Sequence, residues 1–242
     1  MLFMSCRFAI ETENLTKEYG DIVAVDDLNL QVETGTVYGF LGPNGAGKTT
    51  SLRLLTTLTR PSSGSATVSG HPITDTELVT SDIGYLPEEP PLYDELTGRE
   101  QLQFFADIRD IDPETASDRI ESLLDQFDLE ASDQRIATYS TGMRRKVGIA
   151  NALLHDPPVV FLDEPTSGLD PRAAQQVRDT LVELSGRNTT VLLSTHALSV
   201  VEAVADTAGI LQDGQLIAEG EPSSLMGKNG QTLEETFLEV TS

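Results

Sequence analysis

A glycine-rich stretch in the first quarter of the chain contains the residue types best suited to phosphate chemistry. It fits the pattern G-x-x-x-x-G-K-S/T, that of a loop that wraps the phosphates of a nucleoside triphosphate. Glycines let backbone N–H groups close around oxygens, Lys48 would place a cation at the β- and γ-phosphates, and the Thr49 hydroxyl suits Mg²⁺. The predicted ATP-binding residues of this loop are Gly42, Pro43, Asn44, Gly45, Ala46, Gly47, Lys48, Thr49 and Thr50.

The alternative to a phosphate loop is a glycine-rich turn that holds a lysine by chance, and the flanking segments argue against it. Residues 36–41 are predicted to form a buried strand, and residues 49–59 a helix whose N-terminus faces the anion. Because a phosphate loop needs the strand, the loop and the helix together, this context favours nucleotide binding.

Two carboxylates follow a later apolar run. Asp163 and Glu164 come directly after residues 159–162, which are typical of a strand in a parallel sheet covered on both faces. Ligands of an α/β sheet lie at the carboxyl ends of its strands. Asp163 suits the Mg²⁺ site of a P-loop NTPase, and Glu164 is placed to polarise a water toward the γ-phosphate. The alternative is a pair of acids that only caps a strand end.

His196 follows the next apolar run, residues 191–193. An isolated histidine is more often a loop residue than a catalyst. Here the strand it follows is predicted to neighbour the one that ends at Glu164, which favours contact with the γ-phosphate. His71 and His155 lack such a context and are predicted to lie on the surface.

The remaining patterns predict an α/β fold with an inserted helical part. Alternating residues in 8–13 and 23–32 indicate antiparallel strands with one wet face, and a short strand is predicted at 65–69. Helix starts are predicted at a Thr97–Glu100 capping box, at Asp112-Pro113 and at Asp170-Pro171. We interpret 1–242 as one domain, with a nucleotide core at 1–86 and 158–242 and a helical subdomain at 87–157.

The composition is strongly acidic. The 242 residues carry a net charge of −23, with 39 acids and lysine only at four positions. Such a surface repels nucleic acid and anionic lipid, so we predict binding to neither. Scarce lysine with abundant acid favours adaptation to a high-salt cytosol, where charges are screened within a few ångströms.

The N-terminal and apolar patterns predict a soluble cytoplasmic chain. No window approaches the roughly 18 uninterrupted apolar residues of a membrane span, and the N-terminus shows no secretory signal. Met4 is as plausible a start as Met1. Cys6 is the only cysteine, which excludes an internal disulfide.

The segment from Tyr139 to Lys146 makes a family resemblance specific. It reads Tyr-Ser-Thr-Gly-Met-Arg-Arg-Lys and lies in the helical part, shortly before the Asp163 strand. With the motifs above, it is similar to the signature of the nucleotide-binding subunits of ATP-binding-cassette (ABC) transporters, over nearly the whole chain. The signature variant and residues 233–239 resemble exporter ATPases of the drug, sodium or polysaccharide type.

This resemblance implies a P-loop NTPase (RecA-like) core and further roles. Two copies, or one copy and a paralogous ATPase, would face head to tail and hydrolyse ATP with Mg²⁺. A multi-pass permease on a separate chain would hold the ATPase at the cytoplasmic face of the membrane. Tyr19 would stack on adenine, and the loop that ends at Asp170 would communicate between the sites. The signature residues expected to contact the partner's ATP are Ser140, Thr141, Gly142 and Met143.

The chain departs from the family pattern at two places. Thr141 and Met143 replace a glycine and a glutamine of the signature, whereas Ser140 and Gly142 remain. Glu88 stands where the family usually has glutamine. It is predicted to be a metal or coupling residue, although a carboxylate there could also repel the γ-phosphate or pair with an arginine of the partner. The basic residues 144–146 are predicted to create a positive potential near the partner's ATP.

Other classes of ABC ATPase remain as alternatives. A chromosome-maintenance or DNA-repair ATPase would need a long coiled coil or a basic surface, and neither is visible. A translation or assembly factor and a nucleotide-gated scaffold are the others; Glu164, the expected base, argues against the scaffold. The sequence favours export over import but does not identify the cargo.

Overall fold

The strands of the described residues lie in two sheets. A computed structural model describes residues 7–225 and 232–240; Cys6 and the alternative start Met4 lie outside these ranges. The antiparallel sheet has the order β2-β1-β4-β5. Its strands are β1 (Phe8–Tyr19), β2 (Ile22–Glu33), β4 (Ser63–Val68) and β5 (His71–Pro72). Alternate residues of β2 are buried, from Leu28 to Val32, which confirms the predicted antiparallel strands with one wet face.

The second sheet is the core of the fold. Its strands are β3 (Val37–Leu41), β6 (Ile83–Leu86), β7 (Val159–Asp163), β8 (Thr190–Thr195), β9 (Thr207–Gln212) and β10 (Gln215–Gly220). They lie in the order β10-β9-β3-β8-β7-β6. All neighbours are parallel except β9 and β10. Every residue of β3, β7 and β8 is buried, as expected for parallel strands covered on both faces.

The described residues form helices between and after these strands. They are α1 (Lys48–Leu55), α2 (Thr76–Asp82), α3 (Gly98–Ile108), α4 (Pro113–Gln126), α5 (Thr141–Leu153), α6 (Pro171–Gly186), α7 (Leu198–Val204), α8 (Pro222–Leu225) and α9 (Leu233–Val240). In the described ranges, none of these helices is long and apolar enough to cross a membrane.

The predicted helix starts are confirmed. The Thr97 hydroxyl accepts from the Glu100 amide while the Glu100 carboxylate accepts from the Thr97 amide, so α3 begins with a complete capping box. Asp112 accepts from the Thr115 amide at the start of α4. Asp170 accepts from the first backbone amides of α6.

Helix α1 is shorter than predicted. It ends at Leu55, whereas the pattern predicted a helix to residue 59. The amide and the hydroxyl of Thr56 both donate to the Leu52 carbonyl, at 2.9 and 2.8 Å. Thr57 then takes a φ of 62°. The helix ends because this backbone turns into the left-handed region, which a β-branched residue rarely enters.

Two apolar cores flank the central sheet. One joins β7 and β8 to the helices between Gly98 and Leu153, through residues such as Leu162, Phe127 and Ile149. The other lies between the central sheet, α1 and the antiparallel sheet, and contains Phe40 and Leu52. Because both faces are packed, β3, β7 and β8 hold their carboxyl ends at fixed positions along one edge of the sheet.

Candidate functional site

A cavity of about 320 Å³ lies at the carboxyl ends of these strands. In the parallel register, Leu41 lies beside Thr195 and Asp163 beside Ser194, so the segments that follow β3, β7 and β8 meet at the same edge. The cavity is lined by Ala24, Asn44, Gly45, Ala46, Gly47, Lys48, Thr49, Thr50, Glu88, Asp163 and Glu164. The predicted loop and the predicted acidic residues are therefore brought together.

The backbone of the loop requires glycine at Gly47. Its φ is 104°, and a Cβ at this position would lie 2.4 Å from the Ala24 carbonyl oxygen. This residue immediately precedes α1, and no described side chain caps the helix N-terminus. The first backbone N–H groups of the helix, with the positive end of its dipole, therefore remain available to an anion.

The Lys48 ammonium lies across the loop. It is buried and donates to the Gly42 and Pro43 carbonyls, at 2.7 and 3.1 Å. Burial lowers the pKa of Lys48, and the carboxylates of Glu164, Asp163 and Glu88 act in the opposite direction. Phosphate oxygens that entered the cavity would meet a cation already placed by the loop.

Asp163 offers an oxygen that suits a metal ion. One carboxylate oxygen accepts from the Ser194 hydroxyl. The other, Oδ2, is buried and has no hydrogen-bond partner among the described residues. A buried carboxylate oxygen without a donor is costly unless a cation balances it.

Thr49 and Glu88 line the same cavity. Their hydroxyl and carboxylate oxygens are hard donors, the type of ligand that suits Mg²⁺. The described residues contain no cluster of three or more His, Cys, Asp or Glu that could hold a metal.

Glu164 is held by three donors at the end of β8. Its carboxylate accepts from the Thr195 hydroxyl and the His196 amide, both at 3.0 Å. The His196 Nδ1 lies 2.8 Å from the same carboxylate, and since a carboxylate only accepts, Nδ1 carries the proton. Glu164 is 8% exposed, whereas the His196 side chain is 63% exposed, so the ring extends outward from a buried base.

The backbone at Glu164 adopts a conformation that is costly for a non-glycine residue. Its φ is 50°, in the left-handed region, which costs about 1–2 kcal/mol. The three donors keep the residue there, and such strain is concentrated at functional sites.

The signature residues lie elsewhere on the chain surface. Ser140 caps α5 by accepting from the Met143 amide at 3.2 Å. A Cβ on Gly142 would lie 3.5 Å from the Leu169 side chain, so this segment packs against the loop that ends at Asp170. None of the predicted signature positions, including Thr141, lines the cavity.

Tyr19 also lies outside the cavity lining, and the residue is 48% exposed. The ammonium of Lys17 lies 4.8 Å from the centre of that ring. The exposed aromatic ring is free on one side to stack with another planar group.

The prediction that His155 lies on the surface is wrong, whereas the predicted positive potential of residues 144–146 near a partner's ATP stays a prediction. The three basic side chains make separate contacts within the chain. Arg144 pairs with Asp94 at 2.7 Å, Arg145 is buried, and Lys146 donates to the Phe127 carbonyl. His155 is half-buried rather than on the surface, because its Nε2 donates to a carbonyl of β6.

The sequence interpretation missed the residues that orient the acids. Ser194 and Thr195 are fully buried and hold Asp163 and Glu164, and the sequence analysis assigns no role to either of them. Hydroxyl residues at the end of an apolar strand were the available signal. The sequence prediction for Arg145 rests on its charge alone, because no local pattern indicates that the side chain is buried.

Comparison with known proteins identifies the family. The ABC transporter family model matches residues 25–167. Daunorubicin resistance ATP-binding protein DrrA3 of Streptomyces coeruleorubidus is 42% identical over 92% of this chain and 71% of that protein. The chain belongs to the ABC transporter ATP-binding family. Bacitracin transport ATP-binding protein BcrA of Enterococcus faecalis is 37% identical to this ABC ATPase, over 96% of this chain and 75% of that protein.

Solved structures agree with the fold of this ABC ATPase. An ATP-binding subunit of an ABC transporter is 31% identical, with a TM-score of 0.88 over 97% of this chain and 100% of that chain. A dimeric ATP-binding cassette in a post-hydrolysis state, bound to ADP and Pi, is 25% identical, with a TM-score of 0.81 over 88% of this chain and 98% of that chain. The predicted P-loop NTPase fold and the predicted class, an ATP-binding and ATP-hydrolysing subunit of an ABC transporter, are confirmed.

Proposed function

We propose that this ABC ATPase drives an exporter by closing and reopening a head-to-tail dimer around ATP. The observation that carries the proposal is the buried Glu164 carboxylate, which three donors hold in the cavity that also contains the phosphate loop and Asp163. The names of the relatives, daunorubicin resistance and bacitracin transport, support export of a drug-like compound.

The residues of the cavity divide the chemistry among them. The backbone amides of residues 42–50 and the Lys48 ammonium would bind the β- and γ-phosphates. Thr49, Asp163 and Glu88 would hold Mg²⁺, which when bound supplies charge neutralisation at the phosphates. The role of Glu164 would be to accept a proton from the attacking water, while His196 orients that carboxylate and contacts the γ-phosphate.

The surface segments would complete the site of a second cassette. Ser140, Thr141, Gly142 and Met143 begin a helix, where backbone N–H groups and a capping hydroxyl suit a phosphate. Asp170 begins the neighbouring helix α6, and the exposed ring of Tyr19 would stack on adenine. The dimer would contain two copies of this chain, or one copy and a paralogous ATPase.

A separate multi-pass permease would hold this dimer at the cytoplasmic face of the membrane. With a net charge of −23, the chain is repelled by anionic headgroups, so a protein contact rather than lipid is expected to anchor it.

Glu164→Gln separates catalysis from binding. Glutamine keeps an acceptor oxygen for the His196 donors but is not a base, so the rate of phosphate release should fall by about 10²- to 10⁴-fold. The variant should still dimerise in ATP, as measured by size-exclusion chromatography with light scattering in molar salt. Glu89→Gln is the matched control, because it removes one exposed charge outside the cavity lining and should hydrolyse ATP normally. Unchanged hydrolysis in Glu164→Gln contradicts the mechanism.

The transporter assignment is tested by affinity purification. A tagged chain is recovered from detergent-solubilised membranes in molar salt, and its companions are identified by mass spectrometry. A stoichiometric multi-pass protein supports the proposal. Recovery only from the soluble fraction, with ribosomal or assembly proteins, favours the alternative of a soluble non-transport ABC ATPase.

A further inference from the structure

Arg145 is a buried cation without a close carboxylate partner. It lies in the second turn of α5, the helix that begins at the signature, and is 6% exposed. Its Nη1 donates to the Pro87 carbonyl at 3.3 Å. No ion pair with this guanidinium forms among the described residues, although a buried charge is costly without one. The burial of Arg145 therefore calls for a reason other than packing.

Helix α5 is closely packed on the segment that carries Glu88. One turn after Arg145, a Cβ on Gly148 would lie 2.7 Å from the Leu86 side chain and 2.8 Å from that of Pro90. Pro87, whose carbonyl accepts from the Arg145 guanidinium, lies between Leu86 and Pro90 in the sequence. Helix and segment are thus fitted to each other on both sides of Glu88, and a shift of one requires a shift of the other.

Three carboxylates at the cavity act on the charge of Arg145. Burial lowers the pKa of Arg145, while the carboxylates of Glu88, Asp163 and Glu164 oppose that effect, Glu88 most strongly. The same three carboxylates act on Lys48. Two cations and three carboxylates leave one net negative charge. If glutamine replaced Glu88 and a neutral residue replaced Arg145, the net charge of this group of side chains would stay the same.

We propose that Arg145 is a positioning residue for the triphosphate site. Its guanidinium fixes the Pro87 carbonyl and offsets the charge of Glu88, so that the carboxylate faces the cavity without repelling the γ-phosphate. The inference rests on the proposed binding of the triphosphate in this cavity. Since Ser140 caps the N-terminus of α5, the same contact connects a chain's own ATP to the segment proposed to face its partner's ATP.

The test is a double-mutant cycle on Glu88 and Arg145. ATP affinity is measured by displacement of a fluorescent ATP analogue, and KM and kcat by phosphate release. Arg145→Gln should weaken ATP binding and raise KM about tenfold, with a smaller change in kcat, since coupled charges interact by this order. The double variant Glu88→Gln/Arg145→Gln should bind ATP within about threefold of Glu88→Gln alone, because no charge then needs offsetting.

Arg119→Gln is the matched control. Arg119 is half-buried, and its Nη1 donates to the Leu154 carbonyl at the other end of α5, also at 3.3 Å. Arg119 neither lines the cavity nor bonds to the segment that carries Glu88, so its loss should affect thermal unfolding but not ATP affinity. Arg145→Lys keeps the charge and should bind ATP within about threefold of the wild type, as expected if charge dominates. If Arg145→Gln does not fold on its own, the double variant is compared with Glu88→Gln alone, and a loss of ATP affinity above about tenfold in that comparison or in Arg145→Lys overturns the proposal.

The inference fails if the losses from the two single substitutions add in the double variant, because additivity means that the residues act independently. ATP affinity of wild-type strength in Arg145→Gln, or a loss above about tenfold in Arg145→Lys, also overturns it. A wild-type chain that does not bind ATP contradicts the proposed function instead. Additive losses in a chain that binds ATP contradict only the role of Arg145.

Discussion

His155 should make the stability of this ATPase fall in mildly acidic solution. Its Nε2 donates to the Ile83 carbonyl at 2.9 Å, and its buried Nδ1 has no partner among the described residues. Protonation of Nδ1 would add a charge in a desolvated position. Burial, and next the positive charge of Arg109, lower the pKa of His155 from 6.5 to about 4, with Arg119 adding to the effect and Asp156 opposing it.

The sign and size of the effect follow from these pKa values. The pKa of His155 is lower in the folded than in the unfolded chain, so its stabilisation is complete above pH 6.5 and is lost as the pH falls from 6.5 through about 4. Full linkage gives a loss of about 2 kcal/mol at pH 5. Because the ring is only half-buried and solvent screens part of the effect, we expect about 1–2 kcal/mol.

The measurement compares the wild type with His155→Gln. Glutamine retains an N–H that can donate to the Ile83 carbonyl and does not titrate in this range. The free energy of unfolding is measured with urea at several pH values between about 8 and 5, at constant high salt. The acidic surface titrates in both proteins, so its contribution cancels in the difference. Parallel curves for the two proteins would refute the reasoning, because they would show that His155 has the same pKa folded and unfolded.

Two further substitutions test the loop and a helix start. Gly47→Ala should abolish ATP binding, because its Cβ would lie 2.4 Å from the Ala24 carbonyl oxygen at a φ of 104°. Gly45 has a φ of 85°, and a Cβ at this position would have no heavy atom within 4 Å, so Gly45→Ala should bind ATP more weakly but measurably. Equal losses of ATP affinity in the two glycine variants, measured in an equilibrium binding assay, would contradict the steric argument. Thr97→Ala removes the capping hydroxyl of α3 and should lower the free energy of unfolding in urea by about 1 kcal/mol, whereas Thr97→Ser should be nearly neutral. Equal stability of these two variants would exclude a capping role.

The local parts of the fold could be predicted from sequence because their signals are local. The capping box at Thr97 and the buried runs before Asp163 and His196 need only the periodicity and chemistry of neighbouring residues. The β9–β10 hairpin was not predicted, although Asp213-Gly214 between two apolar runs was a usable signal.

The parts of the site that were missed depend on contacts between distant segments. The hydroxyls that hold the two carboxylates come from β8, 31 residues further along the chain. Their role follows from the parallel register of β7 and β8, which a single sequence does not specify. In the same way, Arg145 reaches Pro87 across 58 residues, so its charge was visible in the sequence but its burial was not.

Folding alone leaves two groups of the cavity in energetically unfavourable environments. The Oδ2 of Asp163 is buried with no donor among the residues that the structure describes, which costs about 1–3 kcal/mol, and the backbone of Glu164 is strained by about 1–2 kcal/mol. The central sheet, packed on both faces, is what can hold these groups in place against that cost. In the proposed site, a ligand that brought a cation to Asp163 and phosphate oxygens to Lys48 would remove part of this cost, and that gain would contribute to its affinity. On this argument the strained and unpaired groups belong to the proposed binding site, and the rigid strands beneath them would favour a ligand that brings both a cation and phosphate oxygens.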